Sequence, residues 1–240
     1  MSAQAEICVR NSLHWYEAIF RTHRLTGAIV DGLWFSSDDA PPYYSNAVTL
    51  DPSRVASQLA ALRDLRSELH APWSVKDSYA ALDLAALGFE PLFDAEWVWR
   101  DPSPVPKADP GDVSWRQVTT SLDLDEWEKA WRDNGSPTDR RVFVPELLAD
   151  PAVALFAAYR GDTLVGGCAA NSSAEAVGMS NLFSADRDME PIAIGGLTAV
   201  SRFAPGVPIV GYEAGDALER AKRLGFRAIG PLRVWIVVAP

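Results

Sequence analysis

Tyr212 and Glu213, two neighbouring residues near the end of the chain, carry the side chains that proton transfer requires. They come at the end of a short run, residues 208–212, whose Ile and Val are typical of a strand. A carboxylate at a strand end can take a proton from an ammonium group, directly or through water, and a phenol can donate one. Glu213 is therefore a candidate base and Tyr212 a candidate acid. Two structural roles stay open: a carboxylate that stabilises the next helix N-terminus, and a tyrosine that packs in the core.

A second polar pair, Ser180 and Asn181, lies in a predicted strand over residues 176–184. The same pair of residue types recurs earlier in the chain as Ser45 and Asn46. Recurrence favours a structural role, in which the side chains close a buried strand splay by hydrogen bonding. We predict that Ser180 and Asn181 contact the substrate.

Tryptophan is abundant, and most of the nine tryptophans are expected in core strands and helices. Three of them could instead line a pocket for an apolar or aromatic group: Trp34, Trp73 and Trp235. We include Trp235 among the predicted substrate contacts.

Metal and nucleophile chemistry has little support in the sequence. The three histidines, His14, His23 and His70, are scattered and lack the spacing of metal ligands. The two cysteines, Cys8 and Cys168, cannot by themselves form a zinc site or a disulfide framework. We predict no metal site.

Charge restricts the partners. The chain has 22 Lys and Arg against 32 Asp and Glu, a formal net charge of −10. Nucleic-acid affinity depends mostly on neutralising phosphates, so an acidic protein is not expected to bind nucleic acid. Residues 220–233 depart from this average, since they hold five basic residues and no acid. This segment is either a solvated helix face with its following strand or a local patch for an anionic ligand.

The overall composition is that of a globular protein. The 240 residues are 48% hydrophobic and 22% charged, which excludes a largely disordered chain, a collagen and a coiled coil. No apolar stretch approaches the ~20 residues of a membrane-spanning helix, and the N-terminus shows no secretory signal. We expect no membrane partner and a cytoplasmic location.

The chain resembles itself across a Pro- and Asp-rich linker, residues 101–110. Asn46 and Asn181 lie in similar sequences 135 residues apart, and Gly88 and Gly225, each before a Phe, are 137 residues apart. We interpret this as a degenerate tandem repeat, with one domain over residues 1–105 and a second over residues 112–240.

The periodicity of each segment predicts strands backed by helices. In the second segment we predict a hairpin, a strand, a helix, a strand and a helix over residues 153–158 and 163–170, 176–184, 191–203, 208–212 and 216–224. In the first segment we predict a helix, two strands and a helix over residues 5–23, 28–35, 72–75 and 78–87. The fold class is α/β (α+β), with two units that each have a mixed, mostly antiparallel sheet flanked by helices.

This order of elements, with the hairpin sequence YRGDTLVGG at 159–167 and Leu-Gly-Phe at 224–226, resembles the GCN5-related N-acetyltransferase (GNAT) superfamily. The resemblance implies transfer of an acyl group from acetyl-CoA or another acyl-CoA to a small amine or amino-acid-like acceptor. It also implies a pair of splayed strands that holds the pantetheine arm. These would be the fourth and fifth strands of the second unit. The resemblance implies that Glu213 acts as base and Tyr212 as acid at this splay, and that Ser180 and Asn181 face the acceptor.

The chain departs from the GNAT pattern at the phosphate-binding loop. The family has glycines there, whereas residues 187–192 of this chain contain none. The residues that the resemblance places near coenzyme A are Phe183, Arg187, Arg223 and Arg227. The family's usual tyrosine, four residues before the Gly of Gly-Phe, is replaced by Ala221. The alternative function is a catalytically degenerate GNAT-fold module that binds a small molecule or a protein partner without acyl transfer.

Overall fold

The fold is known from a computed structural model, which describes residues 2–68, 73–106, 112–186 and 189–237. The helices are α1 (Ala3–Thr22), α2 (Val55–Glu68), α3 (Ser121–Asp133), α4 (Glu190–Phe203) and α5 (Gly215–Arg223). The strands of the first segment are β1 (Ala28–Val30), β2 (Leu33–Phe35), β3 (Ala47–Thr49), β4 (Ser74–Asp77) and β5 (Glu90–Arg100). Those of the second segment are β6 (Val113–Gln117), β7 (Val153–Arg160), β8 (Thr163–Ser172), β9 (Val177–Ser184), β10 (Ile209–Glu213) and β11 (Arg227–Ile236).

All these strands belong to one sheet, in the order β1-β2-β3-β4-β11-β5-β10-β9-β8-β7-β6. Two neighbouring pairs are parallel, β3 with β4 and β9 with β10, and the other pairs are antiparallel. The predicted fold class, a mixed and mostly antiparallel sheet flanked by helices, is confirmed.

The two segments exchange their last strands in the middle of this sheet. Strand β5 of the first segment pairs with β10 of the second, from Arg100 opposite Ile209 to Glu96 opposite Glu213. Strand β11 of the second segment pairs with β4 of the first. The sheet is therefore continuous across the two segments. The two-domain division and the tandem repeat stay predictions, and residues 107–111 of the linker lie outside the described residues.

The helices cover both faces of the sheet, as alternation along β7 shows. Leu155 and Ala157 pack in a core with residues of α1 and α3. Ala154 and Phe156, which point the other way, pack with residues of α4 and α5. Thus α1 and α3 lie on one face, called here the α1 face, and α4 and α5 lie on the other, called the α5 face.

Most elements predicted in the second segment are confirmed, including the β7–β8 hairpin, α4 and α5. Two predictions in the first segment are wrong. The single strand predicted over 28–35 is a hairpin, because Asp31 (φ 53°) and Gly32 (φ 80°) form a tight left-handed turn. The helix predicted over 78–87 is an irregular segment that ends in a short 3-10 turn, Ala85–Leu87.

Gly225 ends α5 as predicted, with φ 88°, and Gly88 has the same left-handed conformation at φ 79°. Among the described residues, none of the helices combines the length and the apolar character needed to cross a bilayer. The described residues also contain no group of three or more His, Cys, Asp or Glu that could hold a metal ion.

Candidate active site

Strands β9 and β10 separate after two residue pairs. Val177 lies opposite Ile209 and Gly178 opposite Val210, and the parallel pairing ends there. Strand β10 itself continues in register with β5 as far as Glu213. A gap therefore opens in the sheet between Ser180-Asn181 on one side and Tyr212-Glu213 on the other, at the position that the sequence predicted.

A bulge in β9 shapes one wall of this gap. The register between β8 and β9 shifts between the pairs Gly167–Phe183 and Ala169–Ser180. Within the bulge Asn181 has φ 52°, a left-handed conformation that asparagine adopts more readily than most residues. The Asn181 side-chain amide donates to Ser180 Oγ at 3.0 Å, so the two predicted substrate contacts form one polar unit on the gap.

A cavity of about 320 Å³ passes through the gap from one face of the sheet to the other. On the α5 face its wall is made of small and apolar side chains from α4, α5 and the residue that follows α5: Ala193, Leu197, Ala217, Ala221 and Leu224. On the α1 face the wall is aromatic: Trp15, Tyr16, Tyr43, Tyr44, Trp97 and Trp131. The predicted residues Ser180, Asn181, Tyr212 and Glu213 all line the cavity.

The aromatic wall is held by contacts between the two segments. The buried Tyr44 phenol interacts with the side chain of Trp15, in its own segment, and with that of Asn181, in the second segment. Tyr43 Oη donates to the Pro137 carbonyl oxygen at 2.7 Å, and its ring contacts Trp131 edge-on at 5.4 Å between centroids. Because Trp15, Tyr43 and Tyr44 belong to the first segment, that segment builds much of the α1-face wall.

The predicted base, Glu213, has a suitable environment. Burial raises the pKa of Glu213 to about 7, and the nearby Arg220 guanidinium partly opposes that rise. A carboxyl group whose pKa is near 7 exchanges protons readily at neutral pH. Arg220 also lines the cavity.

The predicted acid, Tyr212, lies on the opposite face of β10 from Glu213, because side chains alternate along a strand. On the α1 face its ring contacts Trp97 edge-on, with ring centroids 5.7 Å apart, and the Tyr212 ring centroid lies 4.0 Å from Lys76 Nζ. Burial raises the pKa of Tyr212, so the phenol keeps its proton at neutral pH. Both side chains reach the same cavity, but from different faces.

The residues predicted to contact coenzyme A do not lie together at the cavity. Arg223, near the end of α5, forms an ion pair with Glu190 in the first turn of α4, at 3.5 Å. Arg227 forms an ion pair with Asp101 at 2.9 Å. Neither Arg223 nor Arg227 lines the cavity. Arg187 lies outside the described residues.

Two predicted aromatic contacts lie in other cores. Phe183 is buried against Trp127, with ring centroids 5.3 Å apart, because the bulge turns it towards α3. Trp235 is buried in a cluster of the first segment with Leu33, Leu62 and Val75, since β11 pairs with β4. The structure does not bring either side chain to the cavity.

Sequence reasoning missed the contribution of the first segment. Ser12 lines the cavity, and behind it lies Lys76, which has no exposed surface. The lysine Nζ donates to Ser12 Oγ at 2.8 Å. One signal was available, a lysine inside a short strand flanked by Trp73 and Tyr79.

No protein-family model matches the chain, and no curated protein matches its sequence. Solved structures do match. A GCN5-related N-acetyltransferase from Kribbella flavida is 14% identical, with a TM-score of 0.67 over 98% of this chain and 96% of that one. A putative GNAT-family acetyltransferase from Novosphingobium aromaticivorans is 14% identical, with a TM-score of 0.56 over 95% of each chain.

A third similar structure is the C-terminal domain of a putative lysylphosphatidylglycerol synthetase from Agrobacterium fabrum, 11% identical, with a TM-score of 0.54 over 98% of this chain and 93% of that one. All three likenesses extend over nearly the whole chain, both segments included. The chain has the fold of the GCN5-related N-acetyltransferases.

Proposed function

We propose that the protein transfers an acyl group from an acyl-CoA thioester to the amino group of a small molecule. The observation that carries this proposal is the cavity through the gap between β9 and β10. A donor on the α5 face and an acceptor on the α1 face can meet there without either entering the other's site.

The α5 face suits the acyl-pantetheine arm. The wall residues Ala193, Ala217 and Ala221 are small and apolar, and they leave space for an extended chain. Beyond Gly178, the edge of β9 that faces the gap is no longer paired with β10. Backbone N–H and C=O groups on that edge can bind the amide groups of the arm. When bound, acyl-CoA supplies the acyl group in activated thioester form.

The start of α4 is the proposed place for the phosphates. Its N-cap residue, Met189, makes no side-chain capping hydrogen bond, so the helix N-terminus can receive an anion. Arg223 lies beside it through its pair with Glu190, and this pair would have to rearrange to favour phosphate. Arg187 precedes this turn in the sequence, and Arg227 is not needed for this arrangement.

Glu213 and Tyr212 supply the proton transfers. An acceptor ammonium must lose a proton before its nitrogen attacks, and Glu213, with its pKa raised to about 7, can accept that proton through water in the gap. Tyr212, on the α1 face, keeps its phenolic proton and can donate it through water in the gap to the sulfur that leaves on the α5 face. Ser180 and Asn181, on the facing edge, orient the acceptor by hydrogen bonds.

The acceptor is proposed to be an amine with an apolar or aromatic body, including amino-acid-like amines. Aromatic rings form the α1-face wall, and such rings bind apolar groups and cations. The net charge of −10 also favours the approach of a cationic acceptor.

Calorimetric titration of acetyl-CoA and of coenzyme A tests the donor site. We expect saturable binding to the wild-type protein and loss of that binding in Ala217→Trp, which fills the α5-face wall. Glu219→Trp is the matched control, because it places the same side chain on an exposed part of the same helix. If no acyl-CoA binds to the wild-type protein, the proposal is overturned.

One observation favours a second function, ligand binding without transfer. The first turn of α4 holds Glu190, which carries negative charge, and Pro191, which has no N–H to offer a phosphate. A panel of amines with acetyl-CoA decides between the two functions: free thiol and acetylated amine support the transferase, and acetyl-CoA binding without either product supports the binding module.

A further inference from the structure

Ser12 and Lys76 form a hydrogen-bonded pair at the α1-face wall. Lys76 Nζ lies 2.8 Å from Ser12 Oγ, although the two residues are 64 positions apart in the chain. Ser12 on α1 lines the cavity and is half-buried, whereas Lys76 on β4 has no exposed surface. Ser12 therefore lies between the cavity and the buried amine.

The environment of Lys76 is aromatic rather than acidic. Its Nζ lies 4.0, 4.7 and 5.2 Å from the ring centroids of Tyr212, Trp97 and Tyr16. Within the described parts of the chain, no carboxylate forms an ion pair with it. In water, a lysine ammonium donates its three N–H groups to water molecules. In the folded protein, Lys76 instead contacts one hydroxyl and three ring faces.

Burial without a carboxylate partner favours the neutral amine, and at neutral pH this effect outweighs the attraction of the rings for a cation. Burial lowers the pKa of Lys76 to about 7. The other titratable groups that face it are uncharged there, because burial raises the pKa of the Cys8 thiol to about 12 and also raises those of the Tyr16 and Tyr212 phenols. An uncharged lysine beside a serine hydroxyl is a proton acceptor, and serine–lysine pairs activate the serine as a nucleophile in several unrelated enzymes.

We propose that Ser12 is a covalent acyl acceptor whose hydroxyl proton is taken by Lys76. This goes beyond direct transfer to an amine, and it adds a hydrolytic or two-step route for activated esters and thioesters that enter the cavity.

The reaction has two balanced steps. In the first, the Ser12 hydroxyl proton moves to the Lys76 amine, the Oγ–C bond to the acyl carbonyl forms, and the C–S or C–O bond of the substrate breaks. The leaving thiolate or alkoxide then takes the proton from the Lys76 ammonium. In the second, an amine or water gives a proton to Lys76 and bonds to the same carbonyl carbon, the Oγ–C bond breaks, and Ser12 Oγ takes that proton back.

p-Nitrophenyl acetate is the probe, because it delivers an acetyl group without coenzyme A. We expect a burst of about one p-nitrophenolate per chain, with one added acetyl group that peptide mapping by mass spectrometry locates on Ser12. Ser12→Ala should lose both the burst and the adduct. Ser136→Ala is the matched control, since Ser136 lines the same cavity, whereas the Lys76 amine donates its hydrogen bond to Ser12. It should keep both.

Lys76→Met tests the role of the amine. We expect the acylation rate of Ser12 to fall by about a hundredfold or more, which is typical of losing a general base. Cooperative urea unfolding of this variant shows whether it folds. If it does not fold, the rate of Ser12 acylation in Glu213→Gln is measured from pH 5 to pH 9 instead. The rate should rise as the Lys76 amine loses its proton near pH 7, and a rate that does not rise overturns the proposal.

Three further results overturn the proposal: no adduct on the wild-type protein, an adduct on Lys76 or elsewhere that survives Ser12→Ala, or an unchanged acylation rate in a folded Lys76→Met variant. The proposed acyltransferase function is tested separately, because acetyl-CoA binding and amine acetylation measure it. Each outcome can occur without the other.

Discussion

The two parallel strand pairs of the sheet, β3–β4 and β9–β10, begin alike and end differently. In each, two residue pairs are in register: Ala47–Val75 and Val48–Lys76 in the first, and Val177–Ile209 and Gly178–Val210 in the second. Beyond them β9 and β10 separate around a cavity, whereas side-chain hydrogen bonds connect the continuations of β3 and β4.

Those hydrogen bonds close the first segment. The Ser78 amide donates to Thr49 Oγ1 at 2.8 Å, Thr49 Oγ1 donates to the buried Asp77 carboxylate at 3.4 Å, and Tyr79 Oη donates to the Leu50 carbonyl oxygen at 3.3 Å. The Asp77 carboxylate also accepts from the Leu82 amide at 2.7 Å. Short polar side chains thus occupy the place where the second segment has open space.

The elements that follow each pair reinforce this difference. After β10 the chain forms α5, which supplies Ala217 and Ala221 to the cavity wall. After β4 the backbone is held by Asp77 and forms only a 3-10 turn before β5. The comparison indicates that the second pair opens onto the cavity, whereas the first pair is closed. The first segment contributes α1, Tyr43 and Tyr44 to the wall of that cavity, on the side proposed for the acceptor.

Separating the two segments is expected to have the largest effect. A fragment of residues 112–240 lacks β5, which pairs with all of β10 and also contributes Trp97 and Val98 to the cavity. We expect it to show no cooperative thermal transition by circular dichroism and no acetyl-CoA binding. Co-expression with residues 1–105 should restore both. A fragment that folds and binds alone would show that the exchange of strands is dispensable.

Glu213→Gln should lower turnover strongly and leave donor binding nearly intact. Removing a general base typically costs a factor of 10² to 10⁴ in rate. Glutamine has nearly the size and shape of glutamate, so the α5-face wall proposed for the donor keeps its form. Steady-state kinetics with the best amine acceptor and calorimetry with acetyl-CoA measure the two effects. Asp83→Gln, an exposed acid of the first segment, is the control. An unchanged rate removes Glu213 from the mechanism.

Stability should pass through a relative minimum near pH 7, because Glu213 and Lys76 act in opposite directions. The pKa of Glu213 is raised to about 7 in the folded state, so its ionisation destabilises the fold increasingly from about pH 4.5 to pH 7. The pKa of Lys76 is lowered from 10.5 to about 7, so the unfolded state binds more protons above pH 7 and stability rises again towards pH 10.5.

Urea unfolding of the wild type, Glu213→Gln and Lys76→Met at pH 5, 7 and 9.5 measures these contributions. The free energy of unfolding of Glu213→Gln, relative to that of the wild type, should increase between pH 5 and 7. That of Lys76→Met, relative to the wild type, should decrease between pH 7 and 9.5. Each effect is at most a few kcal/mol, since one pKa unit corresponds to about 1.4 kcal/mol. Differences that do not vary with pH would mean that both groups have ordinary pKa values.

Thr49→Val should have the smallest effect and the most local one. It leaves the Ser78 amide and the Asp77 carboxylate without one buried partner each, at a cost of about 1–3 kcal/mol in the free energy of unfolding. Acetyl-CoA binding should not change, because Thr49 is outside the cavity. Urea unfolding and calorimetry check the two statements. Weakened acetyl-CoA binding would contradict the statement that the closed end of β3–β4 does not contribute to the cavity at β9–β10.

The sequence alone determined the local elements and the open end of the second segment. The β7–β8 hairpin, α4, α5 and the glycine at the end of α5 follow from periodicity and turn residues, which act over a few neighbours. Tyr212 and Glu213 at one strand end, and Ser180 and Asn181 on another, could be assigned to one site because the order of elements resembles a known fold.

The tertiary structure decided which segment supplies each wall. The exchange of β5 and β11 takes Trp235 into the core of the first segment and brings Trp97 to the cavity. Ser12 and Lys76 meet only because α1 packs over this exchanged sheet. Strand partners and helix docking depend on contacts between residues that are far apart in sequence. Local propensity and periodicity do not predict these contacts.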